Sequence, residues 1–125
     1  MLEIVREFCL SLPGVTEKEQ WGDDLLFCIG GKMFAVATFN PAATVRLSFK
    51  STPEIFAELT ERQGFIPAPY LARAHWVALT EWDALPPDEL RQHLRAAYEI
   101  ILAKLPKKTR AALFVTTAAP APASQ

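Results

Sequence analysis

Two consecutive glycines, Gly30-Gly31, separate the apolar stretches of residues 25–29 and 33–39. Such a pair can take the positive φ values of a two-residue turn, so the spacing predicts a tight antiparallel hairpin. Asn40-Pro41 ends its second arm. Beyond it Val45, Leu47 and Phe49 alternate strictly with Arg46, Ser48 and Lys50. This is the pattern of a strand with one face on a core and the other in water. Residues 75–79 read as another short strand. Residues 65–72 read as an irregular crossing, because Pro67 and Pro69 do not fit a central strand. Residues 15–24 read as a loop that lays Trp21 across the core edge.

Helices bracket these strands. Residues 2–12 place Ile4, Val5, Phe8, Cys9 and Leu12 on one helical face, and Pro13-Gly14 stops the run. Thr52-Pro53 offers a cap and a first-turn proline for a helix to about Arg62, with Ile55, Phe56 and Leu59 on its apolar side. The strongest period begins at Pro86-Pro87 and carries Leu90, Leu94, Ala97, Tyr98, Ile101 and Leu105. Asp88 and Glu89 suit its N-terminus, Lys104 suits its C-terminus, and Pro106 ends it. The order implies an α+β domain: an antiparallel sheet with N-terminal and C-terminal helices packed on one face. The other face is expected to be partly exposed, with Arg46, Ser48 and Lys50 on it. The domain is expected to occupy residues 1–110, with 111–125 a tail that is flexible from about 116.

The chain is 125 residues long and 50% hydrophobic, enough for one core. No apolar run approaches the ~20 residues that span a bilayer. The first stretch holds Glu3 and Glu7, unlike a secretion signal, so the expectation is a cytoplasmic monomer outside the membrane. Cys9 and Cys28 lie among apolar residues and read as free buried thiols.

The net charge of −1 conceals a split. Residues 1–89 carry seven Lys/Arg against thirteen Asp/Glu, while residues 90–125 carry six against the single acid Glu99. Arg91, Arg95, Lys104, Lys107, Lys108 and Arg110 form a local basic region that could contact phosphates with strong salt dependence. The alternative is that they are solubilising charges matched to helix ends. Arg46 and Lys50 share a strand face, where they could meet an anion or simply be solvated. Arg73, His75 and Trp76 could stack on a base or border a pocket. Alternation separates His75 from Trp76, so one is expected to be pinned to the core and the other to sit at its rim. The two histidines do not stand at ligand spacing from either cysteine, and no metal or cofactor is expected. No nucleophile elbow or phosphate loop is present, so the expectation is a non-enzyme.

Several motifs in order resemble the MmcQ/YjbR family of small bacterial proteins. They are residues 12–17 (LPGVTE), residues 30–35 (GGKMFA), and Tyr70-Leu71 leading to Arg73-Ala74-His75-Trp76. Residues 85–90 (LPPDEL) and 102–108 (LAKLPKK) complete the set. The resemblance implies a fold like that of the bacterial frataxin homologue CyaY. It also implies DNA binding, the label that members commonly carry, with Lys32, His75, Trp76, Lys104, Lys107 and Lys108 as matching positions. Ala74 stands where the family usually has a cation, and Glu3 and Glu7 are short of the acidic ridge that iron binding would use.

The leading functional expectation is therefore DNA binding of low specificity through phosphate contacts. Its residues would be Lys32, Arg46, Lys50, Arg73, His75 and Trp76 with Lys104, Lys107, Lys108 and Arg110. The alternatives are a non-enzymatic domain that binds a partner protein through an open sheet face, and a small-ligand binder or enzyme with a site near Trp21, Arg73 and His75.

Overall fold

The computed structural model describes residues 1–118. Six strands form one sheet: β1 (Val15–Gln20), β2 (Asp24–Ile29), β3 (Lys32–Thr38), β4 (Leu47–Lys50), β5 (Phe65–Pro67) and β6 (Trp76–Leu79). Their order is β1-β2-β3-β4-β6-β5, and every paired neighbour is antiparallel. Helices α1 (Leu2–Ser11), α2 (Pro53–Leu59) and α3 (Pro87–Lys104) cover one face of this sheet. A fourth helix, α4 (Lys107–Ala118), follows. The α+β class, the antiparallel sheet and the flanking helices are those expected from sequence.

The core lies between sheet and helices. Phe27, Phe34, Phe49 and Leu47 from the strands meet Val5 and Cys9 of α1 and Leu90, Leu94 and Ala97 of α3, all nearly solvent-free. Each large side chain so placed contributes roughly 1.5–3 kcal/mol of hydrophobic stabilisation. A bulge concentrates this material: Phe27 pairs with Ala35 but Cys28 with Met33, so Phe34 is the extra residue. Phe34 and Ala35 can then both face the helices, against the usual alternation. The Phe34 ring meets Tyr98 edge-on at 5.7 Å, and the Tyr98 hydroxyl donates to the Pro13 carbonyl at 2.6 Å. His93 of α3 stacks on Phe49 at 5.7 Å, and burial lowers its pKa below 6.5.

Local signals position the helices. The Thr52 hydroxyl accepts from the Ile55 N–H at 3.2 Å, which caps α2. Leu105 is extended at ψ 149°, as a residue before proline prefers, and α4 starts immediately beyond Pro106. Leu113 of α4 packs on the core near Gly14.

Four expectations need correction. Residues 15–20 are a strand rather than a loop. Edge strand β1 joins the sheet through its backbone ladder to β2, while Thr16, Lys18 and Glu19 stay exposed. Trp21 does not cover the core edge; it is 64% exposed. Residues 65–67 are the opposite edge strand, with Pro67 at its end, where a missing donor is tolerated. Helical structure also continues past residue 110 to Ala118, and the remainder of the expected tail lies outside the described residues.

The hairpin turn yields a test. Gly30 has φ +60° and a Cβ there would stand 2.6 Å from Leu105 Cδ1, whereas Gly31, at φ +81°, faces open space. Gly30→Ala combines backbone strain with overpacking and is expected to destabilise by roughly 2–4 kcal/mol. Gly31→Ala carries only the strain, about 1–2 kcal/mol. Urea unfolding of both variants measures the difference.

Candidate functional site

The sheet face away from the helices is not bare. Residues 68–75, between β5 and β6, lie across it and bury a second apolar cluster of Ala68, Trp76 and Ala78, with Met33, Val36 and Leu71 packed at its margin. Backbone bonds hold the segment: Ala68 N–H donates to the Trp76 carbonyl at 3.0 Å, and Leu71 N–H to the Ala68 carbonyl at 3.1 Å. Side chains from β4 and its end complete the attachment. The Lys50 ammonium donates to the Ala74 carbonyl, and the Ser51 hydroxyl to the His75 carbonyl at 2.6 Å.

This changes the expected open face. Arg46, Ser48 and Lys50 do share one side of β4, but Ser48 is only 9% and Lys50 8% exposed. The alternation was legible; the cover was not. Burial, and next the neighbouring Lys104, depress the Lys50 pKa.

Where the cover stops, a cavity of about 610 Å³ opens. Met33, Val36 and Ser48 line it from the sheet, Val45 from the β3–β4 connection, and Leu71 from the 68–75 segment. Asp24, Thr38 and Arg46 bring the polar groups. Register explains the last three. Asp24 pairs with Thr38, and Thr38 N–H donates to the Arg46 carbonyl at 3.1 Å, so the three form one row across β2, β3 and the start of β4. Burial first, then Asp23, raises the Asp24 pKa, against an opposing hydrogen bond from Thr38. Among the described residues, the half-buried Arg46 guanidinium has no ion pair or hydrogen bond.

Two aromatic residues stand at the cavity in an unusual state. Trp21 and Tyr70 have φ of 56° and 67°, and His75 at 63° is the only other non-glycine residue with positive φ among those described. Such backbone costs about 1–3 kcal/mol per residue and clusters at functional sites. The exposure of Trp21 is 64% and of Tyr70 103%, so neither recovers that strain by burial.

The residues expected to contact nucleic acid occupy several environments. Lys32 is exposed at the hairpin, as is Arg73 before β6. Trp76 is 4% exposed in the apolar cluster, while His75 meets the Phe56 ring of α2 edge-on at 5.5 Å. The pair is thus separated, Trp76 in the apolar cluster and His75 against α2, although His75 precedes β6 with left-handed backbone and strand alternation does not set its direction. Lys104, Lys107 and Lys108 are exposed at the α3–α4 junction. Arg110 is half-buried, and its Nε is buried without a hydrogen-bond partner among the described residues. The structure brings Lys104 beside Lys50 and places Arg46 at the cavity.

Burial pushes the Cys9 thiol up to about 12 and also raises that of Cys28; both are free thiols. Among the described residues, no group of three or more His, Cys, Asp or Glu could hold a metal ion. Among the described residues, no helix is long and apolar enough to cross a membrane.

A six-stranded antiparallel sheet with helices on one face and a partly covered cavity on the other defines an α+β domain of CyaY-like architecture. The chain belongs to the YjbR family, whose model matches residues 10–100. It is similar to the crystal structure of Deinococcus radiodurans protein DR2400, a DUF419-domain protein, at 29% identity and a TM-score of 0.80. That likeness covers 90% of this chain and 87% of the other. No curated protein matches the chain.

The strain at the cavity makes a prediction about stability. Trp21→Gly and Tyr70→Gly remove unfavourable φ values from exposed side chains, but they make the unfolded chain freer. The variants are expected to unfold within about 1 kcal/mol of the parent, although each deletes a large aromatic group. A loss of 3 kcal/mol or more in urea would make these residues structural.

Proposed function

We propose that this domain binds a small organic molecule, without chemical conversion, in the cavity on the sheet face opposite the helices. The observation that carries the reading is the pair of exposed aromatic residues, Trp21 and Tyr70, held at positive φ beside an apolar cavity of about 610 Å³. Cavities of this size that combine apolar walls with a few polar groups suit small ligands. The flat faces of indole and phenol can cover a ligand while their polar tips stay wet.

A neutral fluorescent probe, N-phenyl-1-naphthylamine, tests the site. It is expected to bind the folded protein saturably. Val36→Trp, which replaces an isopropyl group on the floor with an indole, should weaken binding at least about tenfold while urea unfolding stays cooperative. Binding indifferent to that substitution would remove the cavity from the function.

A second reading, nucleic-acid backbone contact, is favoured by the exposure of Lys104, Lys107 and Lys108 where α3 meets α4. Several cations so placed would give weak, salt-sensitive binding to DNA. Fluorescence anisotropy with labelled duplex and single-stranded DNA at about 50 and 200 mM salt measures it. Neutralising the three lysines is expected to reduce the salt slope by roughly 2–3, and an unchanged slope would exclude them.

A further inference from the structure

We propose that the occupant of the cavity is a planar organic monoanion, with its apolar body on the sheet and its acid group on the Arg46 guanidinium. The inference rests on the cavity being a ligand site and adds the chemical class of the ligand. A guanidinium is charged at any accessible pH and presents a rigid fork matched to an acid group. Arg46 is half-buried at the cavity, yet its fork has no partner among the described residues.

Asp24 does not supply that partner. The Asp24–Thr38–Arg46 row separates the two backbones by two strand spacings, about 9.5 Å. The cavity thus has an acid and a base, each available to a ligand.

Asp24 also limits the charge of the occupant. A carboxylate on the same row repels negative charge, so one anionic group can be accommodated against Arg46 and a second is opposed. The rest of the lining selects the body. Met33, Val36, Val45 and Leu71 favour an apolar surface, and Trp21 and Tyr70 favour a flat one. A polyanion would require several cations in this position, where Arg46 is the one Lys or Arg of the lining among the described residues.

Two fluorescent probes separate the inference from the reading beneath it. 1-Anilinonaphthalene-8-sulfonate and N-phenyl-1-naphthylamine share a ring system and differ by one sulfonate. Both are expected to bind the parent protein and to be weakened by Val36→Trp. Arg46→Gln should weaken the sulfonate probe about tenfold and change the neutral one by less than about twofold. Arg46→Lys should retain part of the affinity, and Asp24→Asn should tighten the sulfonate probe. Displacement by 2-naphthoate should exceed displacement by 2-naphthyl phosphate at pH 8. Equal effects of Arg46→Gln on both probes, or none on either, would overturn the anion assignment while leaving the cavity intact. Stronger displacement by the phosphate would overturn the limit to one charge. Neutral-probe binding that ignores Val36→Trp would instead remove the site itself, and the assignment with it.

Discussion

The attachment of residues 68–75 to the sheet is the constraint on which the rest of this face depends. One buried ammonium, that of Lys50, satisfies the Ala74 carbonyl, and the Ser51 hydroxyl satisfies that of His75. These bonds cross from the end of β4 to the approach to β6, strands already paired along their length. They fix where the segment can lie, and its apolar side then meets Val36 and Met33. Cover over one part of the sheet leaves a concavity over the next. The cavity follows from a segment too short to hide the whole face.

Much of the fold was legible because its signals are local and periodic. Gly30-Gly31 marks the β2–β3 turn, and the apolar spacing from Leu90 to Leu105 marks α3. Register with a partner sets the other elements. Edge strand β1 has Thr16, Glu17, Lys18 and Glu19 in succession, which shows no alternation of apolar and polar residues. Its backbone ladder to β2 decides its conformation. The three residues of β5 are similarly too few, and too close to proline, to announce a strand.

The site was less legible than the fold. Arg46, Ser48 and Lys50 were correctly placed on one face, but their burial comes from contacts with residues more than twenty positions away, such as Lys50 with Ala74. Trp21 stood out as an aromatic residue near a possible pocket, and the cavity does include it. Arg73 and His75, expected at the same pocket, do not line it; Tyr70 and Asp24 do. Tyr70 stood in the sequence only as part of the Tyr70-Leu71 motif, because its positive φ and full exposure arise only once residues 68–75 are in place. The row Asp24–Thr38–Arg46 is a product of strand register, invisible until the strands are paired.

The order of charges along β1 bears on how copies of this protein meet. An edge strand offers free backbone donors and acceptors to any similar strand in solution. Antiparallel pairing of two β1 strands centred on Lys18 would set lysine against lysine and each Glu17 against a Glu19. Like charges directly opposite one another oppose such a ladder. At the other border, Pro67 withholds a donor from a strand only three residues long. The sheet therefore ends in one border guarded by repulsion and in another interrupted by proline, so the same antiparallel ladder that builds it is opposed at both of its limits.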